Sequence, residues 1–334
     1  MYRRNHKEWD IAALGELLID FTEAGVSGNG MLLFEQNPGG APANLLTAAA
    51  HMGCKTTFIG KIGADMQGNF LADTLRREGI DTSNLVQSGE VFTTLAFVAL
   101  DKQGERQFSF ARKPGADTCL SMEEIQPQVL EQCKIFHVGS LSLTDEPAKG
   151  ASLWSVKKAK SAGALISYDP NYRSSLWKDR ETAVQAMREI IPFADLMKVS
   201  EEECLLLTEE KDCRKGAERL LEAGPGIVAV TLGGKGVLLA QKEKCERIPG
   251  FETFAVDTTG AGDTFWGGFL SRFVDYGKEM ECMQWQDWKE CAVTGNAMAA
   301  LCIQKRGGIP SIPNKETVQK FILDYKCETE GFCW

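Results

Sequence analysis

Short apolar segments and segments of helical periodicity alternate along most of this 334-residue chain. Apolar runs of this length, bounded by turn residues, are typical of strands, and the segments between them repeat apolar residues every three or four positions. The alternation predicts an α/β fold, in which a mostly parallel sheet is covered by helices on both faces. The predicted strands are 11–19, 56–62, 94–100, 134–138, 164–168, 195–199 and 226–232. The predicted helices are 43–51, 68–78, 122–133, 147–161, 180–191, 214–223, 264–275 and 288–304.

Two segments break this alternation and predict a second, smaller sheet. Residues 21–37 are rich in glycine, and residues 90–117 contain two strand-like runs, at 93–100 and 105–112. Neither segment has helical spacing, so we expect both to form a small β-sheet lid at the edge of the main sheet. Because no repeat or Pro/Ser-rich linker interrupts the chain, residues 1–334 are predicted to form a single domain that carries this lid.

Composition and charge argue against several classes of protein. The net charge is −9 and no Lys/Arg-rich run is present, which disfavours nucleic-acid binding. No apolar run approaches the roughly 20 residues of a membrane-spanning helix, and the polar residues 1–9 resemble neither a signal nor a transit peptide. Eleven scattered cysteines without a Cys-x-x-Cys pair indicate free thiols in a reducing cytoplasm. No histidine has zinc-ligand spacing, and His137 is expected to be a core residue.

The sequence DTTGAGDTF at 257–265 joins a glycine-rich turn and a carboxylate to the start of a predicted helix. The first N–H groups of a helix lack intrahelical partners and carry roughly half a positive charge, which favours an anion such as phosphate. Gly260 and Gly262, on either side of Ala261, would let the backbone approach that anion. Asp263 would either cap the helix or accept the proton of a hydroxyl group that attacks a phosphoryl group.

Polar residues also follow predicted strands, at the edge where ligands bind in open parallel sheets. Asp20 ends the first predicted strand, and Asp169 follows the fifth. Gly39 and Gly40 precede the first predicted helix, whose first turn contains Asn44. Each has an ordinary alternative, because Asp and Gly are common in turns and Asn is common near helix caps.

Two further segments have both a structural and a nucleotide-binding explanation. Ser200 is followed by three glutamates, ending with Glu203, at the start of a helix. The helix dipole alone would favour these carboxylates, and a role near phosphate-bound Mg²⁺ is the alternative. The sequence TLGGKG at 231–236 predicts either a hairpin turn or a loop that contacts a nucleotide. Walker, dinucleotide-binding and hydrolase-elbow motifs are absent from the sequence.

These segments together resemble a known family. NPGGAPAN at 37–44 and GKIGADMQG at 60–68 resemble the N-terminal signature of the PfkB-type, ribokinase-like sugar kinases, and residues 257–265 resemble their C-terminal signature. The two signatures occur in the family's order, and the resemblance extends over about residues 11–312. It implies a ribokinase-like α/β fold with a β-sheet lid, MgATP as the phosphoryl donor and a sugar hydroxyl group as the acceptor.

The resemblance also implies roles for individual residues. It makes Asp263 the catalytic base, and Gly260, Ala261 and Gly262 the anion hole. The residues expected to contact the sugar or its phosphoryl group are Asp20, Gly39, Gly40, Asn44, Arg112 from the lid, and Asp169. The residues expected to contact ATP are Ser200, Glu203, Thr231, Gly233, Gly236 and Asn296. Ser200 stands where the family motif Asn-x-x-Glu has Asn, and a serine can still hold a water molecule or a phosphate oxygen.

Ions and partners follow from the same resemblance. Glu203 is expected to hold Mg²⁺ through water. A K⁺ ion beside the anion hole would use Asp257 and Thr259, together with backbone carbonyl groups near Cys302, Lys305, Gly307 and Ser311. A lid with open sheet edges also suggests a homodimer that forms through the lid.

Within the family, three features look most like fructokinases: Ala41-Pro42, DPNYR at 169–173 and RKPGAD at 112–117. They imply phosphorylation of D-fructose at the 6-hydroxyl group, giving fructose 6-phosphate and ADP. One alternative is the same mechanism with another acceptor, such as 2-keto-3-deoxygluconate or a nucleoside. A non-catalytic sugar sensor on the same fold is another, and an NAD-dependent oxidoreductase would lack its dinucleotide fingerprint.

Overall fold

A computed structural model describes residues 7–100 and 106–330, which form two β-sheets with helices around the larger one. The strands are β1 (Trp9–Leu14), β2 (Leu18–Val26), β3 (Leu32–Gly39), β4 (Thr56–Gly63), β5 (Leu85–Ser88), β6 (Leu95–Leu100), β7 (Arg106–Ala111), β8 (Cys133–Gly139), β9 (Leu165–Asp169), β10 (Leu196–Ser200), β11 (Ile227–Thr231), β12 (Val237–Gln241) and β13 (Lys244–Ile248). The helices are α1 (Ala41–His51), α2 (Met66–Arg77), α3 (Pro127–Glu131), α4 (Ala148–Ser161), α5 (Arg180–Ile190), α6 (Glu201–Thr208), α7 (Cys213–Ala223), α8 (Ala261–Tyr276), α9 (Trp285–Cys302) and α10 (Lys315–Glu330).

The main sheet has the strand order β13-β12-β11-β10-β9-β8-β1-β4-β5. Its strands pair in parallel from β11 to β5, and β12 and β13 add an antiparallel edge. Alternate residues of β1 enter two separate cores: Ala12 and Leu14 pack into one cluster, Ile11 and Ala13 into the other. Because successive strand residues point to opposite faces, the sheet is covered on both sides. The predicted α/β class is therefore confirmed.

A second sheet, with the order β3-β2-β6-β7, forms the predicted lid. Strands β2 and β3 form an antiparallel hairpin, β6 pairs in parallel with β2, and β7 pairs antiparallel with β6. Both predicted lid segments contribute to it. The predicted strand at 105–112 is described from Arg106 onward, and residue 105 lies outside the described residues.

The first predicted strand, 11–19, is wrong as a single element. The chain leaves the main sheet after Leu14 and enters the lid at Leu18. Gly15 allows this change of sheet, because any Cβ there would collide with the ring of Pro42. As a consequence Asp20 lies in the lid strand β2 and does not end a strand of the main sheet.

The predicted helix at 122–133 is also wrong. A short 3₁₀ turn occupies Met122–Glu124, the helix α3 spans only Pro127–Glu131, and Cys133 already begins β8. Pro127 explains the break, since a proline disfavours helical geometry in the residue before it and suits the first position of a new helix.

His137 is buried within β8, and its Nδ1 lies 2.9 Å from the Ser167 hydroxyl oxygen. Burial lowers the pKa of His137 to about 3, with the nearby Lys198 ammonium adding to the effect, so the ring is neutral. Its prediction as a core residue is confirmed. None of the helices in the described part of the chain is long and apolar enough to cross a membrane.

Candidate active site

The glycine-rich sequence at 257–265 forms a turn that leads into the buried helix α8. Gly260 precedes the helix with φ of 73°, in the left-handed region that favours glycine. The helix packs against α1 and α9 through large aromatic residues, including Phe265 and Trp266. The first N–H groups of α8 are thus presented by a rigid element at one edge of the main sheet.

Asp263 lies in the first turn of α8, where it is almost fully buried. Its Oδ2 accepts a hydrogen bond of 2.9 Å from the side-chain amide of Asn44, near the start of α1. Burial raises the pKa of Asp263 above its ordinary value, although the Lys198 ammonium and the Asn44 hydrogen bond oppose the shift. The Oδ1 atom of Asn44 is buried and has no hydrogen-bond partner among the described residues, which is unusual unless a ligand supplies one.

Two cavities meet at this Asn44–Asp263 pair. The first, which we call the lid cavity, has a volume of about 150 Å³ and lies between the lid and the body. Its lining includes Asp20, Asn37, Gly39, Asn44, Val98, Asp257, Thr259, Arg306 and Gly308. The second, the glycine-loop cavity, has a volume of about 230 Å³. Its lining includes Arg173, Lys198, Ser200, Glu203, Thr231, Gly260, Ala261, Gly262 and Asp263.

Asp20 reaches the lid cavity from β2, beside Gly39. Burial raises the pKa of Asp20 to about 6, against the opposing effect of Arg173. Gly40 adopts φ of 117°, and a Cβ at this position would overlap the backbone carbonyl group of Glu16. The predicted residues Asp20, Gly39 and Asn44 are therefore brought together, and Gly40 sets the path of the chain between them.

Arg112 and Asp169 are not placed on the lid cavity, contrary to their expected contact with substrate. The Arg112 guanidinium is buried and donates hydrogen bonds to the Asp117 carboxylate (2.8 Å), the Thr144 hydroxyl group (2.9 Å) and the Leu141 carbonyl group (2.9 Å). These contacts fasten the end of the lid to the body.

Asp169 is buried behind the glycine-loop cavity. Its Oδ1 accepts a hydrogen bond from the Asn171 N–H at 3.1 Å, and its Oδ2 lies 2.7 Å from Lys198 Nζ. Burial raises the pKa of Asp169, and the Lys198 ammonium opposes the shift. Both oxygens are engaged, so this carboxylate is held away from the lid cavity.

Ser200 and Glu203 line the glycine-loop cavity and also cap α6. The Ser200 hydroxyl accepts the Glu203 N–H at 3.1 Å, and Glu203 Oε2 accepts the Ser200 N–H at 2.7 Å, which completes a capping box. Glu203 Oε1 accepts the Tyr172 N–H at 2.7 Å. The pair therefore has a structural role at the start of α6 and also lies beside the cavity.

The other residues expected to contact ATP fall into two groups. Thr231 ends β11 on the glycine-loop cavity. Gly233 and Gly236 form the predicted hairpin turn between β11 and β12, and do not line that cavity. Gly236 has φ of 95° and fits against the Ile248 carbonyl group, while Asn296 donates to the Pro249 carbonyl group at 2.9 Å. Gly236 and Asn296 therefore meet at the same short segment after β13.

The segment implied for K⁺ is also assembled. The Asp257 carboxylate accepts hydrogen bonds from the N–H (3.0 Å) and hydroxyl (2.8 Å) groups of Thr259 and from the Gly307 N–H (3.0 Å). The Ser311 hydroxyl donates to the Gly308 carbonyl group at 2.7 Å and lies 2.9 Å from Cys302 Sγ. The carbonyl oxygens of Thr259 and Gly308 therefore both lie near Cys302 and Ser311.

Comparison with known proteins identifies the family of this chain. Residues 9–315 match the pfkB family carbohydrate kinase. The chain belongs to this family. A probable fructokinase-5 of Arabidopsis thaliana is 40% identical over 318 residues, which cover 93% of this chain and 97% of the relative.

Solved structures agree with this assignment. A fructokinase from Xylella fastidiosa with bound ATP superposes with a TM-score of 0.88 at 30% identity, covering 95% of this chain and 98% of that one. A fructokinase double mutant from Vibrio cholerae O395, in a form with bound fructose, ADP and potassium ion, has a TM-score of 0.85 at 28% identity, covering 96% and 99%. The predicted ribokinase-like fold is therefore confirmed.

Two buried charged residues of this carbohydrate kinase were missed by the sequence analysis. Lys198 lies in the middle of β10 and is buried. A lysine within an otherwise apolar strand could have indicated a buried charge from the sequence alone. Glu16 lies in the link between β1 and β2 and accepts the Ala41 N–H at 2.9 Å. Burial raises the pKa of Glu16 to about 7. The sequence around Glu16, GELLID at 15–20, looks like the ordinary end of a strand, so nothing in it marked Glu16 as a buried carboxylate.

Proposed function

We propose that this kinase transfers the γ-phosphoryl group of ATP to the 6-hydroxyl group of D-fructose, giving fructose 6-phosphate and ADP. The observation that carries the proposal is the position of Asp263, whose carboxylate lines the glycine-loop cavity and bonds to Asn44 of the lid cavity. A hydroxyl group in one cavity and a phosphoryl group in the other would meet at this carboxylate. The fructokinase relatives, including structures with bound ATP or with fructose and ADP, support the choice of substrates.

The lid cavity has the chemistry of a sugar site. Asp20 offers a carboxylate to hydroxyl groups, and the unpaired Oδ1 of Asn44 offers a further acceptor. Glu23, Glu35 and Asp257 also line the cavity, and Arg306 is the single cation among its described lining residues. This excess of carboxylates disfavours an anionic acceptor such as 2-keto-3-deoxygluconate.

The glycine-loop cavity would hold the phosphoryl group. The N–H groups of residues 260–263 would stabilise the charge that develops on it, because they are fixed in place before the reaction. As the bond from the sugar oxygen to phosphorus forms, the bond to the bridging oxygen breaks and its electron pair leaves with ADP. Asp263 would accept the hydroxyl proton in the same step. The lid would exclude water and so limit hydrolysis of ATP.

Two ions belong to the proposal. Mg²⁺ would neutralise phosphate charge, and Glu203 would hold it through water, since both its oxygens already accept backbone N–H groups. K⁺ would bind beside α8, where the carbonyl oxygens of Thr259 and Gly308 would be ligands of suitable hardness. The fructokinase structure with bound potassium supports this choice.

The decisive experiment is ADP formation from MgATP with fructose, ribose, 2-keto-3-deoxygluconate or adenosine, each with and without K⁺. We expect strong turnover on fructose, stimulation by K⁺, and a product whose phosphate is on O6 by phosphorus NMR. Turnover on another acceptor would contradict fructose as the substrate but would remain consistent with Asp263 as the base. Tight fructose binding without ADP formation would instead support a sugar sensor.

The place of the protein in the cell is also a proposal. We propose a reducing cytoplasm, supported by the cysteines of the described residues, which are all free thiols. We further propose a homodimer that forms through the lid.

A further inference from the structure

Lys198 is a buried cation at the wall of the glycine-loop cavity. It lies in β10 with only about 7% of its side chain exposed, and its Nζ is 2.7 Å from the Asp169 carboxylate. A Cβ added to Gly262 would lie 3.0 Å from the same Nζ, so the ammonium group is directly beside the proposed anion hole.

The ammonium group has more hydrogen-bonding capacity than its surroundings use. It carries three donors, and Asp169 is its one hydrogen-bond partner in the described part of the chain. A buried charge with unused donors is costly unless something satisfies them. The cavity that Lys198 lines is the one in which we place the phosphoryl group.

Three carboxylates surround Lys198, and two of them are held by other groups. Asp169, Glu203 and Asp263 face it, but Glu203 is held by backbone N–H groups and Asp263 by Asn44. Arg173, Glu202 and Tyr172 also line the cavity among the described residues, and the neutral His137 lies nearby. Among the described residues, only Asp169 is within hydrogen-bond distance of the ammonium group.

We propose that Lys198 is a further catalytic residue, whose ammonium group donates hydrogen bonds to the transferred γ-phosphoryl oxygens, and that Asp169 is the positioning residue that holds it. This inference rests on the proposed function. Lys198 keeps its protons throughout: the hydroxyl proton goes to Asp263, and the bridging electron pair leaves with ADP. Its contribution is fixed positive charge that complements the N–H groups of the glycine loop.

A purely structural ion pair is the competing explanation, and a double-mutant comparison separates the two. Lys198→Met removes the ammonium group but leaves Asp169 buried and unpaired, which endangers folding by itself. The double variant Lys198→Met/Asp169→Asn removes both charges and avoids that problem. A structural role predicts that the double variant recovers activity, whereas a catalytic role predicts that it stays inactive.

For the kinetic test, turnover is measured in both variants after their melting temperatures confirm a folded protein. We expect kcat to fall at least ~100-fold in each, while KM for fructose changes less than about threefold. Lys61→Met, which breaks the part-buried Lys61–Glu124 pair away from the site, is the matched control and should keep kcat. Recovery of the double variant to near wild-type kcat would overturn the proposal.

A binding test without any acceptor keeps this inference separate from the identity of the sugar. Calorimetry with ADP and with the β,γ-imido analogue of ATP compares ligands that differ in the γ-phosphoryl group. In the double variant we expect affinity for the analogue to fall about tenfold or more, and affinity for ADP to change less than about threefold. Equal losses for both ligands would contradict contact with the γ-phosphoryl group, even if fructose proved to be the wrong acceptor.

Discussion

At the scale of single residues, the proposed mechanism depends most on the carboxylate of Asp263. Asp263→Asn keeps the shape of the side chain and a possible hydrogen bond with Asn44, but it removes the proton acceptor. We expect kcat to fall at least ~100-fold with ATP affinity largely kept, because a general base contributes about that much to the rate. Steady-state kinetics and ATP titration test this expectation, and near-normal turnover would refute the role of Asp263.

Asp20 gives a prediction about pH. Burial raises the pKa of Asp20 to about 6, so its carboxylate gains a proton as the pH falls through that value. Protonation removes the charged acceptor, so KM for fructose should rise by about tenfold per pH unit well below pH 6, and should level off above it. Asp20→Asn serves as the control, with a higher KM that no longer depends on pH in this range. A flat profile in the wild-type protein would contradict the assignment.

The sequence alone predicted residues whose roles depend on the backbone next to them. Asp263 and Gly260 belong to one turn, and their arrangement follows from a helix N-terminus. The sequence did not show that Arg112 and Asp169 lie off the lid cavity, because their partners, such as Leu141 and Lys198, are distant in the sequence. Which buried side chain satisfies a given charge depends on packing between elements, and a single sequence does not show it.

At the scale of secondary-structure elements, the cap of α6 makes the Ser200 position testable. Ser200→Ala should lower the free energy of unfolding by about 1 kcal/mol, because it removes the acceptor for the Glu203 N–H. Ser200→Asn restores the family's residue and is an equally good cap, so its stability should match the wild type. Urea denaturation of the three proteins measures both effects. Equal losses of unfolding free energy in Ser200→Ala and Ser200→Asn would show that the cap at residue 200 does not stabilise α6.

Most helices and strands of the body were predicted, and the two wrong elements are 11–19, where the chain changes sheets, and 122–133, where Pro127 interrupts the helix. Helical periodicity identified helices such as α4 and α5, and strand patterns identified β8 and most other strands of the main sheet. The change from the main sheet to the lid between β1 and β2 was not predicted, because the apolar pattern continues through Gly15. Periodicity reports that a strand is buried but does not say in which sheet it lies.

At the scale of the whole molecule, the arrangement of the two sheets explains why the site has two compartments. Strand β1 ends at Leu14 in the main sheet, and after a link of three residues β2 begins at Leu18 and carries Asp20 in the lid. The helix α8 presents its N-terminus from the body, below the lid. A substrate between the sheets would therefore contact groups from both, and motion of the lid would change the sugar side more than the phosphate side.

The lid also predicts how two copies of the chain associate. Leu32, Leu33 and Phe34 are consecutive residues of β3 and all are exposed, as are Val26 and Met31 beside them. Because consecutive strand residues point to opposite faces, both faces near this edge of the lid are apolar and uncovered. The body of the same chain would cover only one face, so a second copy is the partner that fits.

We therefore expect light scattering to give about twice the chain mass of 36.7 kDa at micromolar concentration. Leu32→Glu should place a charge within the apolar contact and shift the protein to the monomer. Leu323→Glu is the matched control, since Leu323 is a comparably exposed leucine on α10, outside the lid, and its substitution should leave the dimer intact. A monomeric wild-type protein would contradict the prediction, as would a Leu32→Glu variant that stays dimeric. If the lid does pair in this way, its hairpin is held by a second copy, and closure over the sugar becomes a motion shared by both subunits.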